Sequence, residues 1–97
     1  MTVFVDDMYL TKLGQFGRMK MSHMWSPDVE ELHKMADSIG LDRKHFQIKL
    51  QFMHYDVSMS LRAKAVSLGA KEVTMRELAR LVRDHRNAIN CNEGGAG

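Results

Sequence analysis

The stretch SPDVEELHKMADSIG, residues 26–40, constrains the fold more than any other part of the sequence. Ser26 or Asp28 can cap a helix, and Gly40 suits the left-handed position that ends one. One face of this helix carries apolar residues that recur about every 100°: Val29, Leu32, Ala36 and Ile39. Because that face is apolar, it must pack against a sheet or a second helix.

Three other stretches have the patterns of strands. TVFV, residues 2–5, is β-branched and aromatic, and it predicts a strand that ends at Asp6. RMKMSHM, residues 18–24, alternates with period two and predicts a second strand after a loop over 9–17. QIKLQFMH, residues 47–54, predicts a third. Its apolar side would carry Ile48, Leu50, Phe52 and His54.

The second half of the chain adds two helices. LRAKAVSLGA, residues 61–70, predicts a helix that Gly69 closes, and KEV predicts a brief last strand. Thr74 and Glu77 form a capping box that opens the final helix. This order predicts an α/β fold over residues 1–86, a single small domain with a short mixed or parallel sheet and about three helices. Residues 87–97 lack periodicity and are expected to form a flexible polar C-terminal tail.

Composition narrows the class of protein. The 97 residues, 44% of them hydrophobic, can build one core but not two. A net charge of +2 is too weakly basic to favour a nucleic-acid partner. The one cysteine, Cys91, cannot form an internal disulfide, and no apolar run approaches the ~20 residues of a membrane span. With an N-terminus unlike a signal peptide, these features predict a cytoplasmic protein without membrane contact.

The tripeptide HYD, residues 54–56, is the first candidate site. On a strand, His54 and Asp56 share one side and Tyr55 points to the other. Such a histidine can bind a ligand or transfer a proton when a carboxylate orients it. Alternatively, the two side chains hydrogen-bond to each other or cap the next helix, which the motif taken alone favours.

Two further histidines lie at the margins of apolar faces. His23 ends the apolar side of the second strand, and His33 borders the apolar face of the first helix. Each taken alone is better explained as a hydrogen-bonded core residue. Together with the strand-end carboxylate of Asp6, however, they could converge with His54 on one pocket.

The sequence has no signature that names a reaction. The histidines and carboxylates would suit zinc, but no spacing is that of a known metal motif, so we assign no metal ligand and no cofactor. No GxSxG elbow, P-loop or dinucleotide fingerprint occurs, and catalytic residues stay unassigned. Arg76, Arg80 and Arg83 form a stripe on the final helix that could recognise phosphate or carboxylate, or could be a solvated face.

Six motifs, in order, resemble the family called domain of unknown function 4031. They are VFVDDM, GRMKMSHM, ELHKMADSIGL, HYD, LRAKAVSLGAKEVT and RELARLV, between Thr2 and about Arg83. The resemblance implies a small phage-type accessory protein and favours a shared polar site over purely structural roles. It implies these ligand-binding residues: Asp6, His23, His33, His54, Tyr55, Asp56, Arg76 and Glu77. Glu31 also matches the family pattern, whereas residues 47–53 are more apolar than that pattern and could line a pocket or contact a partner.

These observations leave several functions open. We expect first a pocket for a small anionic ligand, such as a nucleotide, which in a phage setting would counter a host defence. The second is a metal-assisted hydrolase with His54 as acid or base, Asp56 orienting it, and Asp6 and His23 as ligands. The third is an inhibitor that binds a host defence protein, and a homodimer would let a site span two chains.

Overall fold

The computed structural model describes residues 2–49 and 52–96. In this part of the chain, a mixed sheet packs against three α-helices, which confirms the small single-domain α/β fold. The strands are β1 (Phe4–Val5), β2 (Gln15–Phe16), β3 (Met19–Trp25), β4 (Gln47–Lys49), β5 (Phe52–Ser58) and β6 (Lys71–Glu72). The α-helices are α1 (Val29–Ile39), α2 (Met59–Ser67) and α3 (Met75–Ala96). Short 3-10 helices lie at Met8–Leu10, Lys12–Gly14 and Arg43–His45.

The sheet has the strand order β4-β5-β3-β1-β6, and β2 pairs with the beginning of β3. β1 and β6 run parallel, whereas β3 is antiparallel to both β1 and β5. The register between β3 and β5 sets His23 opposite Asp56. Because directly paired residues project from the same side of a sheet, these two side chains share a face.

Helices cover both faces of the sheet. The buried residues of α1 and α2 form the main core with Tyr55 and Val57 of β5. On the other face, Trp25 packs with Leu78 of α3, and Phe52 joins the same cluster. Alternate residues of β5 therefore point toward different helices, so His54 and Asp56 lie on the α3 face.

Local sequence signals account for the helix ends. Oδ1 of Asp28 accepts a hydrogen bond from the amide of Glu30 at the start of α1, and Gly40 ends that helix with φ of 80°. At α3, Thr74 and Glu77 each accept from the other's backbone amide, so the predicted capping box is confirmed.

The structure differs from the sequence prediction in two places. Residues 47–54 do not form one strand: β4 and β5 are antiparallel strands of a hairpin, with Gln47 opposite His54, and Leu50 lies outside the described residues. A period-two pattern of apolar residues is the same for one long strand and for two short ones, so only the pairing of β4 with β5 distinguishes them. The expected loop over 9–17 contains 3-10 helices and β2. The final helix α3 runs through Ala96, and a flexible tail over 87–97 stays a prediction. None of the helices in the described ranges combines the length and apolar character that a bilayer crossing needs.

Candidate functional site

Three strands bring two histidines and two aspartates together on the α3 face of the sheet. Asp6 directly follows β1, His23 lies in β3, and His54 and Asp56 lie in β5. The two imidazole rings meet edge to face, with 5.1 Å between their centroids. Of the residues expected to converge, the structure brings Asp6, His23 and His54 together, with Asp56 beside them.

Asp6 orients His23. Its carboxylate is 1% exposed, and Oδ1 accepts hydrogen bonds from the amides of Met8 and His23 at 3.1 and 2.9 Å. Oδ2 lies 2.7 Å from Nδ1 of His23. An ionised carboxylate only accepts, so Nδ1 of His23 carries the proton. The lone pair of the neutral ring is then at Nε2, on the side that faces Asp56.

A backbone carbonyl orients His54 in the same sense. Nδ1 of His54 lies 3.1 Å from the carbonyl oxygen of Phe52, so it must donate. The Phe52 ring stacks on the imidazole with 4.1 Å between centroids. The His54 side chain is buried, with 3% of the residue exposed. Its Nε2 therefore also presents a lone pair from a fixed ring.

Asp56 completes the cluster with an unpaired oxygen. Oδ2 of Asp56 accepts a hydrogen bond of 3.0 Å from the side-chain amide of Gln47. Oδ1 is buried and has no hydrogen-bond partner among the described residues. It lies 3.5 Å from Nε2 of His54 and 3.9 Å from Nε2 of His23. Three lone pairs thus point into one small volume, which is unfavourable unless a cation or added protons lie between them.

The ionisation of Asp56 reflects this environment. Hydrogen bonding from a protonated His54 lowers the pKa of the Asp56 carboxyl below its ordinary value, although burial acts in the opposite direction. Positive charge on His54 or His23 lowers the pKa further. The site therefore holds a carboxylate that stays charged at neutral pH.

The three facing atoms are arranged as metal ligands. One ligand atom from each of His23, His54 and Asp56 lies within 4.8 Å of those of the other two. A tetrahedral zinc ion with bonds of 2.0–2.1 Å separates its ligands by about 3.3 Å. Small side-chain rotations would shorten the separations between the three ligand atoms to those around a zinc ion. The hydrogen bonds at both Nδ1 atoms are the outer contacts that hold metal-bound histidines in orientation.

The cluster opens into a cavity of about 360 Å³. Its walls include His23, His54 and Asp56, and on the β4 side Gln47 and Lys49. If a metal were bound here, three protein ligands would leave at least one coordination position for water or substrate, as in catalytic rather than structural zinc sites. The Lys49 ammonium adds a positive charge at the edge of the cavity.

Four of the predicted site residues lie elsewhere. His33 and Tyr55 form a pair on the opposite face of the sheet, with Nδ1 2.7 Å from the hydroxyl oxygen, and burial raises the pKa of Tyr55. Arg76 is exposed in the first turn of α3, and Glu77 serves in the capping box. The sheet therefore separates HYD into two environments, with Tyr55 on one side and the imidazole and carboxylate on the other.

Six residues line the cavity without having been assigned to the site from the sequence: Met8, Leu13, Gln47, Lys49, Phe52 and Met75. Phe52 had a usable signal, because it alternates with His54 and Asp56 along one strand. Gln47 and Lys49 depend on the pairing of β4 with β5. The expectation that residues 47–53 could line a pocket agrees with this arrangement.

A comparison with known families gives one decisive match. The family described as "Protein of unknown function (DUF4031)" matches residues 3–85. The chain belongs to this family. Its matched range includes Asp6, His23, His54 and Asp56, so the whole cluster lies within the part of the chain that defines membership. Comparisons with curated proteins and with solved structures give no match.

Proposed function

We propose that this member of the DUF4031 family is a metal-dependent hydrolase that acts on a small anionic, phosphate-bearing substrate. His23, His54 and Asp56 would bind one divalent ion through Nε2, Nε2 and Oδ1. Asp6 is not a ligand in this proposal, because both of its oxygens already accept hydrogen bonds.

One observation carries the proposal: Oδ1 of Asp56 is buried without a hydrogen-bond partner among the described residues, and it faces two imidazole nitrogens. Leaving a buried carboxylate oxygen unsatisfied is costly. A divalent ion would satisfy all three atoms at once. The two histidines beside that oxygen are each held by a separate hydrogen bond at Nδ1, which supports a specific metal-binding site rather than a chance cluster.

The chemistry follows from the open coordination position. A divalent ion there would lower the pKa of a bound water and polarise a phosphate oxygen. In hydrolysis, the water oxygen bonds to phosphorus, the bond from phosphorus to the leaving oxygen breaks, and the leaving oxygen takes one of the water protons. Lys49 would contact the phosphate oxygens from the cavity wall. Phe52 would exclude water from the His54 side by covering the imidazole.

The test combines metal content with turnover. The protein is purified without chelator, its metals are measured by inductively coupled plasma mass spectrometry, and hydrolysis of p-nitrophenyl phosphate and bis(p-nitrophenyl) phosphate is followed. We expect about one divalent ion per chain, activity that a chelator removes, and recovery on adding Zn²⁺ or Mn²⁺.

Three variants sharpen the test. His54→Gln and Asp56→Asn should each remove metal and activity while the circular dichroism spectrum stays unchanged. His45→Gln is the matched control, because His45 is exposed on the short helix Arg43–His45 and takes no part in the cluster. A protein that binds no divalent ion, or whose turnover survives Asp56→Asn, would refute the proposal.

A second function, metal-dependent binding of an anionic ligand without turnover, is favoured by a separate observation. Each described histidine and carboxylate of the cluster is already a ligand candidate or its hydrogen-bond partner, which leaves none of them free as a general base. The pocket for a small anionic ligand expected first from the sequence differs in having no assigned metal. Stabilisation by nucleotides with no product formed would distinguish it from hydrolysis.

The wider biological setting stays a prediction. A phage origin, a cytoplasmic location, an anti-defence role, a host protein partner and a homodimer are supported only by the sequence patterns and the family resemblance. Each of them is compatible with a metal-dependent site for a small anion.

A further inference from the structure

A second cavity adjoins the metal-ligand cluster and extends along α3. It has a volume of about 270 Å³ and shares His23, Phe52 and Met75 with the first cavity. These three side chains therefore border both cavities, so the second cavity lies directly beside the cluster.

The second cavity is apolar in its middle. One stripe of α3 forms its wall, and the stripe begins with Met75, Leu78, Ala79 and Val82. The Phe52 ring faces the stripe from β5. Pockets with apolar walls and few polar groups favour flat or apolar parts of a ligand. Asp6 also borders this cavity, but its two oxygens are engaged with His23 and backbone amides.

The far end of the same stripe is positive. Arg83 and Arg86 follow Val82 along the helix and complete the cavity lining. Arg83 lies 3.5 Å from Asp84 and is largely exposed. Arg86 is partly buried, and it forms no ion pair with an acidic side chain in residues 2–15, 17–49 or 52–88, where the structure describes the side chains. A guanidinium in this setting is suited to bind a carboxylate or phosphate by paired hydrogen bonds.

From these contacts we infer that the ligand carries two anionic groups joined by a flat apolar spacer. One group lies at His23, His54 and Asp56, the spacer lies against α3, and the second group binds Arg86. This inference rests on the proposed metal site, and it adds a substrate class: aryl-type phosphates with a distal anion. Met75 and Arg86 are eleven residues apart, or about 16 Å along a helix axis, and the arginine side chain, which leans toward the start of the helix, covers part of that length.

The experiment uses phosphonates, which bind like phosphate esters but cannot be hydrolysed at the carbon–phosphorus bond. Methylphosphonate tests binding at the metal site alone. Phenylphosphonate adds the apolar spacer, and 4-carboxyphenylphosphonate adds the distal anion. 4′-Carboxybiphenyl-4-phosphonate and its parent without the carboxylate test a longer spacer. Affinities for the zinc-loaded protein are measured by isothermal titration calorimetry.

We expect the carboxylate to tighten binding about tenfold on at least one of the two spacers. Arg86→Met should remove that gain and leave the carboxylate-free parents unchanged. Arg80→Met is the matched control, because Arg80 is exposed on α3 and does not line this cavity. Ala79→Phe should weaken phenylphosphonate but not methylphosphonate, since it fills the space for the spacer.

The outcomes separate the two proposals. If phenylphosphonate binds but neither carboxylate tightens binding, or if Arg86→Met keeps the gain, the two-anion inference is wrong and the metal site stands. If methylphosphonate and phenylphosphonate both fail to bind the zinc-loaded protein, or if zinc itself does not bind, the inference is wrong together with the proposed function.

Discussion

Replacing Asp6 by asparagine tests whether the hydrogen bond to His23 prepares that ring for a metal. The asparagine side-chain oxygen can keep the two hydrogen bonds that Oδ1 of Asp6 accepts from backbone amides. Its amide group, however, would replace the carboxylate oxygen that lies 2.7 Å from Nδ1 of His23. Two donors would then face each other. The imidazole resolves this by moving its proton to Nε2, where it blocks the lone pair required for metal binding.

The magnitude of the Asp6→Asn effect follows from this change of tautomer. Loss of an outer-shell partner lowers metal affinity by about 10–100-fold, or about 1.4–2.7 kcal/mol. The metal-free protein loses one charge-assisted hydrogen bond, about 1.5 kcal/mol, which lowers its melting temperature by about 10 °C. Zinc affinity is measured by calorimetry, and the proton is located by two-dimensional ¹⁵N NMR of the imidazole nitrogens.

A neighbouring carboxylate provides the control for Asp6→Asn. Asp7 accepts a hydrogen bond of 2.8 Å from the amide of Met75, but it forms no hydrogen bond or ion pair with a histidine in the described part of the chain. An asparagine oxygen can keep this hydrogen bond, so Asp7→Asn should leave zinc affinity unchanged. The reasoning is refuted if Asp6→Asn binds zinc as tightly as the natural sequence, or if Nδ1 of His23 still carries the proton in that variant.

Three further outcomes are expected from other parts of the structure. Tyr55→Phe removes the 2.7 Å contact with His33 and should lower the free energy of unfolding in urea by about 1 kcal/mol, with zinc affinity unchanged. In metal-free protein, hydrogen bonding from His54 lowers the pKa of Asp56, so the ionised carboxyl stabilises the folded state. This contribution is present above the unfolded pKa near 4 and is lost as the pH falls through the lower pKa of the folded state. Asp56→Asn should therefore lose more stability at about pH 6 than at about pH 3, and an equal loss at both would contradict this. Gly14→Ala would set a Cβ against two backbone oxygens and should destabilise the fold by about 2 kcal/mol, read as a lower urea midpoint.

The features that the sequence predicted well depend on short-range contacts. The start of α1 follows from Asp28, whose side chain reaches an amide two residues away. The opposite orientations of Tyr55 and Asp56 follow from strand alternation alone. Local geometry of this kind depends only on residues that are close in the sequence, so it could be inferred before any tertiary contact was known.

The features that the sequence missed depend on pairing between distant strands. Placing His33 with His54 was reasonable from two apolar margins, but the sheet lies between them, and only the order of strands and helices reveals this. Likewise, Asp6 could be a ligand or an orienting group until its two oxygens are seen to be engaged. The unpaired Oδ1 of Asp56 has no sequence signal at all.

The central claim is that His23, His54 and Asp56 bind a divalent ion. Anomalous diffraction at the zinc edge, from crystals of protein loaded with Zn²⁺, tests this most directly. We predict one strong peak about 2.0–2.2 Å from both Nε2 atoms and from Oδ1, with none in crystals of Asp56→Asn. The account would be contradicted if crystals of the zinc-loaded, unsubstituted protein showed no peak between these three atoms, or showed zinc bound only at other residues.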